Sequence, residues 1–160
     1  NNSASIVADA YLKIGDQSNY DIKNLYEAVL HGANNAGPLK AVGRAGAEQY
    51  NKLGYVPYDV VNESAARTLE YAYDDFAIYQ LAKALKRPKS EIELYKKRSQ
   101  NYKNLFDPAH NLMRGKMSNG KFMEPFDPIR WGEGFTEGNS WHHHLAMSRK
   151  KQVQRTMRCI

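Results

Sequence analysis

The sequence predicts an all-α fold of antiparallel helical hairpins with elaborated loops on one side. Three observations lead to that class. Apolar residues recur at helical spacing from Ser3 to about Phe106. Gly, Asn and Pro gather between those runs rather than inside them. The helical period then disappears from Asn111 to Arg130, which leaves one long irregular segment near 107–136 before helix resumes close to Ser140.

The elements follow in order. Ser3 can cap a first helix with Ile6, Val7, Ala10, Tyr11 and Ile14 on its apolar side, ended by Gly15. Asp21 opens a second, with Ile22, Leu25, Tyr26, Val29 and Leu30 on one face. Residues 32–38 read as a loop, and 39–53 as a third helix weakened by Gly43 and Gly46. The longest helix runs from Asn62 or Ser64 to Leu85, and its broad apolar coverage predicts burial on more than one side. Pro88 suits the first turn of the next helix, which continues through Ile92, Tyr95, Tyr102 and Leu105 until Asp107-Pro108 stops it. Ser118-Asn119-Gly120 is a tight turn between short extended arms. About six helices result.

The chain has 160 residues, enough for a domain with a real core, and 42% of them are apolar. It holds no run of 18 apolar residues, so no membrane span is expected. It begins at Asn1 with no visible targeting segment, which reads as an excised or processed piece. The single cysteine, Cys159, excludes an internal disulfide and a multi-cysteine zinc site. Five of the 23 basic residues and none of the 17 acidic ones fall in 147–160, so the net charge of +6 belongs mainly to the tail. Five cations without interleaved aromatics are a poor nucleic-acid signature, and a solvated, disordered end is expected there.

Chemistry concentrates in Phe135-Thr136-Glu137-Gly138-Asn139-Ser140-Trp141. A carboxyl beside a flexible glycine, with polar groups for hydroxyls and flat faces for pyranose rings, is what a sugar-cleaving site needs. Glu137 is the candidate acid, and Asn139, Trp141 and His142 are candidate sugar contacts. Glu70, Asp74 and Asp75 put three carboxylates in one helix, the first two four apart on a shared face, and they read in two ways. They are either a pocket wall touching sugar hydroxyls or structural carboxylates bonded to neighbouring helix ends or paired with Arg67 or Arg98. His142, His143 and His144 are about 100° apart around a helix, so they do not share one metal-ligand face. Packing or a hydrogen bond to substrate remains for them, and no residue is assigned to a metal. Asp127 lies ten residues before Glu137 and reads first as a turn former.

Gly54-Tyr55-Val56-Pro57, Thr68-Leu69-Glu70-Tyr71-Ala72-Tyr73-Asp74-Asp75, Lys97-Arg98-Ser99, Tyr102 to Asp107, Pro125-Phe126-Asp127-Pro128 and Phe135 to Trp141 occur in a specific order. In that order and spacing they resemble glycoside hydrolase family 92, the calcium-dependent exo-acting α-mannosidases. The resemblance covers about residues 1–146 and implies part of an (α/α)6 catalytic barrel, with 147–160 a basic divergent tail. It implies inverting hydrolysis of terminal mannose, with α-1,2 the expected linkage, and Glu137 as general acid. It also implies a periplasmic or secreted parent, a preceding β-sandwich domain, and a base and calcium ligands in later motifs that are absent here. The charge jump and mismatch after His144 point to a truncated or frame-disrupted product, inactive alone. The alternatives are a non-catalytic carbohydrate-binding or scaffold remnant, and a basic-tailed module for anionic partners. The near-neutral balance of residues 1–146 disfavours the last.

Overall fold

The structure is a computed structural model that describes residues 2–15, 19–35 and 43–145. It is mostly helical, as the sequence predicts. Its elements are α1 (Ser3–Ile14), α2 (Ile22–Asn34), α3 (Ala47–Leu53), α4 (Ser64–Ala84), α5 (Lys89–Arg98), a 3-10 helix (Asn101–Leu105), and the two-residue strands β1 (Phe106–Asp107) and β2 (Leu112–Met113). Residues 140–145 are helical again. No helix among the described residues is long and apolar enough to cross a membrane. The divergent tail lies outside the described residues.

The chain forms two compact units, Asn1–Ala47 with Glu70–Gln100, and Glu48–Leu69 with Asn101–Ile160. The first is built from α1, α2, most of α4, and α5. Ala4 and Ala8 meet Tyr26, Val29 and Ala33, then Ile78, Leu81 and Ala82, then Tyr95. Asp21 caps α2 as expected, its side chain accepting from Lys23 and Asn24 N–H at 3.1 Å each. α4 needs no polar face where it is buried on several sides, and Ala72, Phe76 and Ile78 are all nearly inaccessible. At the centre of this unit Asp75 is held between Arg44 (2.7 Å) and Arg98 (2.9 Å). Arg98 also donates to Asn34 Oδ1 and the Ala33 carbonyl, so the buried charges are paired and hydrogen-bonded.

In the second unit the strands pair antiparallel, Phe106 opposite Met113 and Asp107 opposite Leu112. The predicted turn at 118–120 closes a small hairpin, with a bridge between Lys116 and Phe122 and Gly120 at φ 82°. Asp107 and Arg114 form the unit's polar centre. Arg114 Nη1 donates to Asp107 Oδ2 at 2.7 Å, while Nη2 reaches the Met123 carbonyl and Glu124 Oε1. Despite its burial, bonds from Arg114, His110 and the Ala109 N–H hold the Asp107 carboxyl down to about 2.

Four local expectations are corrected. Ser3 is the first helical residue rather than the cap, and Asn2 holds the cap position without a side-chain bond. Among the described residues of 39–53, helix starts only at Ala47, after left-handed glycines at 43 and 46. Pro88 sits at the cap position of α5, not within its first turn. That helix ends at Arg98, and Tyr102 and Leu105 are buried by a separate 3-10 helix. Arg98, the last residue of α5, turns its side chain inward to Asp75.

Candidate active site

The Glu137 segment is framed by main-chain bonds within the second unit. The first turn of α4 has N–H groups with no partner inside the helix. Two of them, from Ala65 and Ala66, donate to the Gly134 carbonyl at 2.9 and 3.0 Å. The loop then closes on itself, Gly132 N–H donating to the Gly138 carbonyl at 2.8 Å and Phe135 N–H to the Gly132 carbonyl at 3.1 Å. Gly134 lies against Ala65 and Gly115, and a Cβ there would stand 3.5 Å from Ala65 Cβ and 3.9 Å from Gly115 Cα.

Asn139 begins the helix that follows. Its Oδ1 accepts from the His142 N–H at 3.2 Å and from His142 Nδ1 at 2.7 Å, an N-cap arrangement. Its Nδ2 donates to the Ile129 carbonyl at 3.1 Å. Ser140 Oγ donates to the Met113 carbonyl at 2.6 Å, tying the helix start to β2. With Nδ1 donating to Asn139, His142 carries its acceptor lone pair on Nε2. His143 Nε2 donates to the Thr136 carbonyl at 3.1 Å, and its ring stacks on Phe135 at 4.8 Å.

Glu137 sits at the apex of this frame. It is exposed, and no described residue hydrogen-bonds its carboxylate. Its φ is 50°, a left-handed conformation that costs a non-glycine residue on the order of 1–3 kcal/mol. The freedom expected of Gly138 is therefore used one residue earlier. Gly138 packs closely, and a Cβ there would stand 3.4 Å from His142 Cβ and from the His143 ring, at the near edge of ordinary contact.

The aromatic setting also differs from expectation. Phe135 is buried against His143 and offers no open face. Trp141 is 49% exposed, and Trp131, which the sequence does not single out, is 65% exposed and packs edge-on to His142 at 5.8 Å. Nearby a shallow cleft is lined by Arg114, Phe126, Asp127, Arg130, Glu133, Phe135 and Ser140. Asp127 there caps its own turn, accepting from the Ile129 N–H at 3.0 Å.

Glu137, Asn139, Trp141 and His142 thus lie on one short segment of the second unit. Glu70 and Asp74 belong to the first unit, on α4. Asp74 lines a shallow cleft with Ser3, Gly32, Arg44 and Tyr71. Its Oδ1 is buried without a hydrogen-bond partner. Burial pushes its carboxyl up to about 7, helped by the charges of Glu70 and Asp75 and opposed by Arg44. Of the expected pairings, Arg98 does bind one of the three carboxylates, Asp75, while Arg67 pairs with Glu63 at 3.0 Å. Among the described residues no group of three or more His, Cys, Asp or Glu side chains could hold a metal ion. These residues do not by themselves make a calcium cage, which needs about 6–8 oxygen ligands.

The model of the glycosyl hydrolase family 92 catalytic domain matches residues 1–152. The chain belongs to family 92. Its fold is similar to the family 92 inverting mannosidase of Bacteroides thetaiotaomicron, with 40% identity and a TM-score of 0.82 over 89% of this chain and 19% of that one. A second family 92 α-mannosidase of the same organism gives 34% identity and a TM-score of 0.76 over 86% of this chain and 17% of that one. The latter enzyme is also known in complex with mannoimidazole. A secreted glycosidase of Arthroderma benhamiae is 37% identical over 115 residues, 66% of this chain and 14% of its own length. The chain therefore spans less than a fifth of the length of each of these relatives.

Proposed function

We propose that this chain carries the general-acid part of an inverting exo-α-mannosidase site, with Glu137 protonating the departing glycosidic oxygen. The observation that supports this most is the framed loop. A family 92 chain holds Glu137 outward on a left-handed turn fixed by main-chain bonds, a costly placement for an otherwise unbonded surface residue. His142 Nε2 is an acceptor available to a sugar hydroxyl, and Trp141 borders it. Asn139 contributes mainly by holding His142.

Inversion requires a second carboxylate, roughly 6.5–9.5 Å from the first, to activate water on the opposite face of the ring. That base and the calcium ligands would come from parts of the parent protein outside this chain, as would a β-sandwich domain. Terminal α-1,2-linked mannose on glycans is the proposed substrate, and a secreted or periplasmic parent the proposed setting. The 160 residues alone are expected to release no mannose, because acid assistance contributes only about 10²–10⁴-fold.

The test is Glu137→Gln in the full-length parent. Activity on α-1,2-mannobiose should vanish, while a mannoside with a good leaving group, which needs little protonation, keeps far more. Equal loss on both would reject the acid role. The competing reading is a carbohydrate-binding remnant without turnover. It is favoured by the open surroundings of Glu137, since Phe135 and Trp141 do not enclose it. Sugar binding without any effect of Glu137→Gln on the parent's turnover would select it.

A further inference from the structure

We infer that Trp131 is a carbohydrate-stacking residue of the Glu137 site, receiving the C–H face of a pyranose ring. This rests on the acid-site reading and adds a residue to it. Two hydrogen bonds bracket Trp131 and place it beside Glu137. The Ile129 carbonyl accepts from Asn139 Nδ2, and the Gly132 N–H donates to the Gly138 carbonyl. The segment 129–132 is thereby stitched to 138–139, with Trp131 between the tied positions on one side and Glu137 directly before them on the other.

The indole is both fixed and open. His142 braces it edge-on at 5.8 Å, and His142 is itself held by Asn139. At 65% exposure Trp131 contributes little to the core, unlike Phe135, whose ring is 7% exposed and covered by His143. A rigid aromatic held in water next to a carboxyl and a hydrogen-bond acceptor matches a pyranose. One face of the sugar presents C–H groups to the negative ring face, and its rim presents hydroxyls. His142 can then accept from a hydroxyl while Trp131 takes the apolar face.

The chain contains two tryptophans, so a ¹⁵N-labelled sample shows two indole signals, and Trp141→Phe assigns them. Methyl α-mannopyranoside is titrated into the full chain. The Trp131 indole should shift saturably together with the backbone amides of 136–138. Trp131→Ala should weaken binding read at those amides by about two- to tenfold, and Trp131→Tyr should restore most of it. If the amides move while the Trp131 indole stays still, or Trp131→Ala binds as well as the parent, the stacking role falls and the acid-site reading stands. If neither moves, the stacking inference falls, and the acid-site reading is decided by Glu137→Gln in the parent. Equal shifts from glycerol at the same concentration would mark a solvent effect and also overturn the inference.

Discussion

Asp74 makes stability depend on pH in a direction opposite to that of a typical paired carboxylate. Its folded pKa is raised to about 7, while an unfolded aspartate titrates near 3.9. Below about pH 4 it is neutral in both states and costs nothing. Between about 4 and 7 the unfolded chain releases the proton and the native state keeps it, so stability falls as pH rises. A difference of about three pKa units corresponds to about 4 kcal/mol at pH 7 and above, as an order of magnitude. Asp74→Asn keeps the shape and removes the charge. Urea unfolding followed by circular dichroism at pH 4.5, 5.5, 6.5 and 7.5 should show the variant gaining on the parent progressively, by up to about 4 kcal/mol at the top of the range. A difference that stays flat across pH would refute the reasoning, because it would mean that Asp74 ionises freely in the folded protein.

Asp107, held down to about 2, acts in the usual sense. Its contribution is present above about pH 4 and is lost as pH falls towards 2, so Asp107→Asn should abolish part of the acid-side loss in the same unfolding series. Asp75→Ala leaves Arg44 and Arg98 buried without their counter-charge and should destabilise by about 3–5 kcal/mol in denaturant unfolding. Asn139→Ala should cost about 0.5–2 kcal/mol and speed amide exchange across 140–145, with Asn139→Asp milder. Glu137→Gly removes the left-handed penalty and should raise the unfolding midpoint slightly, by an amount equivalent to about 1 kcal/mol, while removing the proposed acid.

The fold was legible where side-chain periodicity and capping act together. Asp21 before an apolar stripe, and the broad apolar coverage from Ser64 to Ala84, fix α2 and α4 almost to the residue. The break after Arg98 was not legible, because Tyr102 and Leu105 continue the apolar spacing whether the backbone is α-helical or 3-10. Nothing local announces that Arg98 turns inward to a carboxylate 23 residues earlier. In the site, chemistry was readable from Glu137 and its neighbours, but geometry was not. The rule that glycine takes positive φ points to Gly138, whereas the Gly132–Gly138 closure puts that conformation on Glu137. Trp131 sits in an aperiodic stretch, and only the bond from Asn139 to Ile129 brings it to the site.

The frame around Glu137 also has an evolutionary consequence. Its ties at Ala65, Ala66, Gly132, Gly134, Phe135 and Gly138 run from main chain to main chain. Such ties survive most side-chain replacement, provided that the glycines and the start of α4 persist. Trp131 and Trp141 contribute no main-chain hydrogen bond to that frame, and Thr136 joins it only through its carbonyl, which His143 reaches whatever side chain stands there. Variation can therefore accumulate at these three positions while the carboxyl stays in register. A library randomised there would explore recognition of different glycosides with the acid held in place, which is the condition under which new specificities arise by small steps.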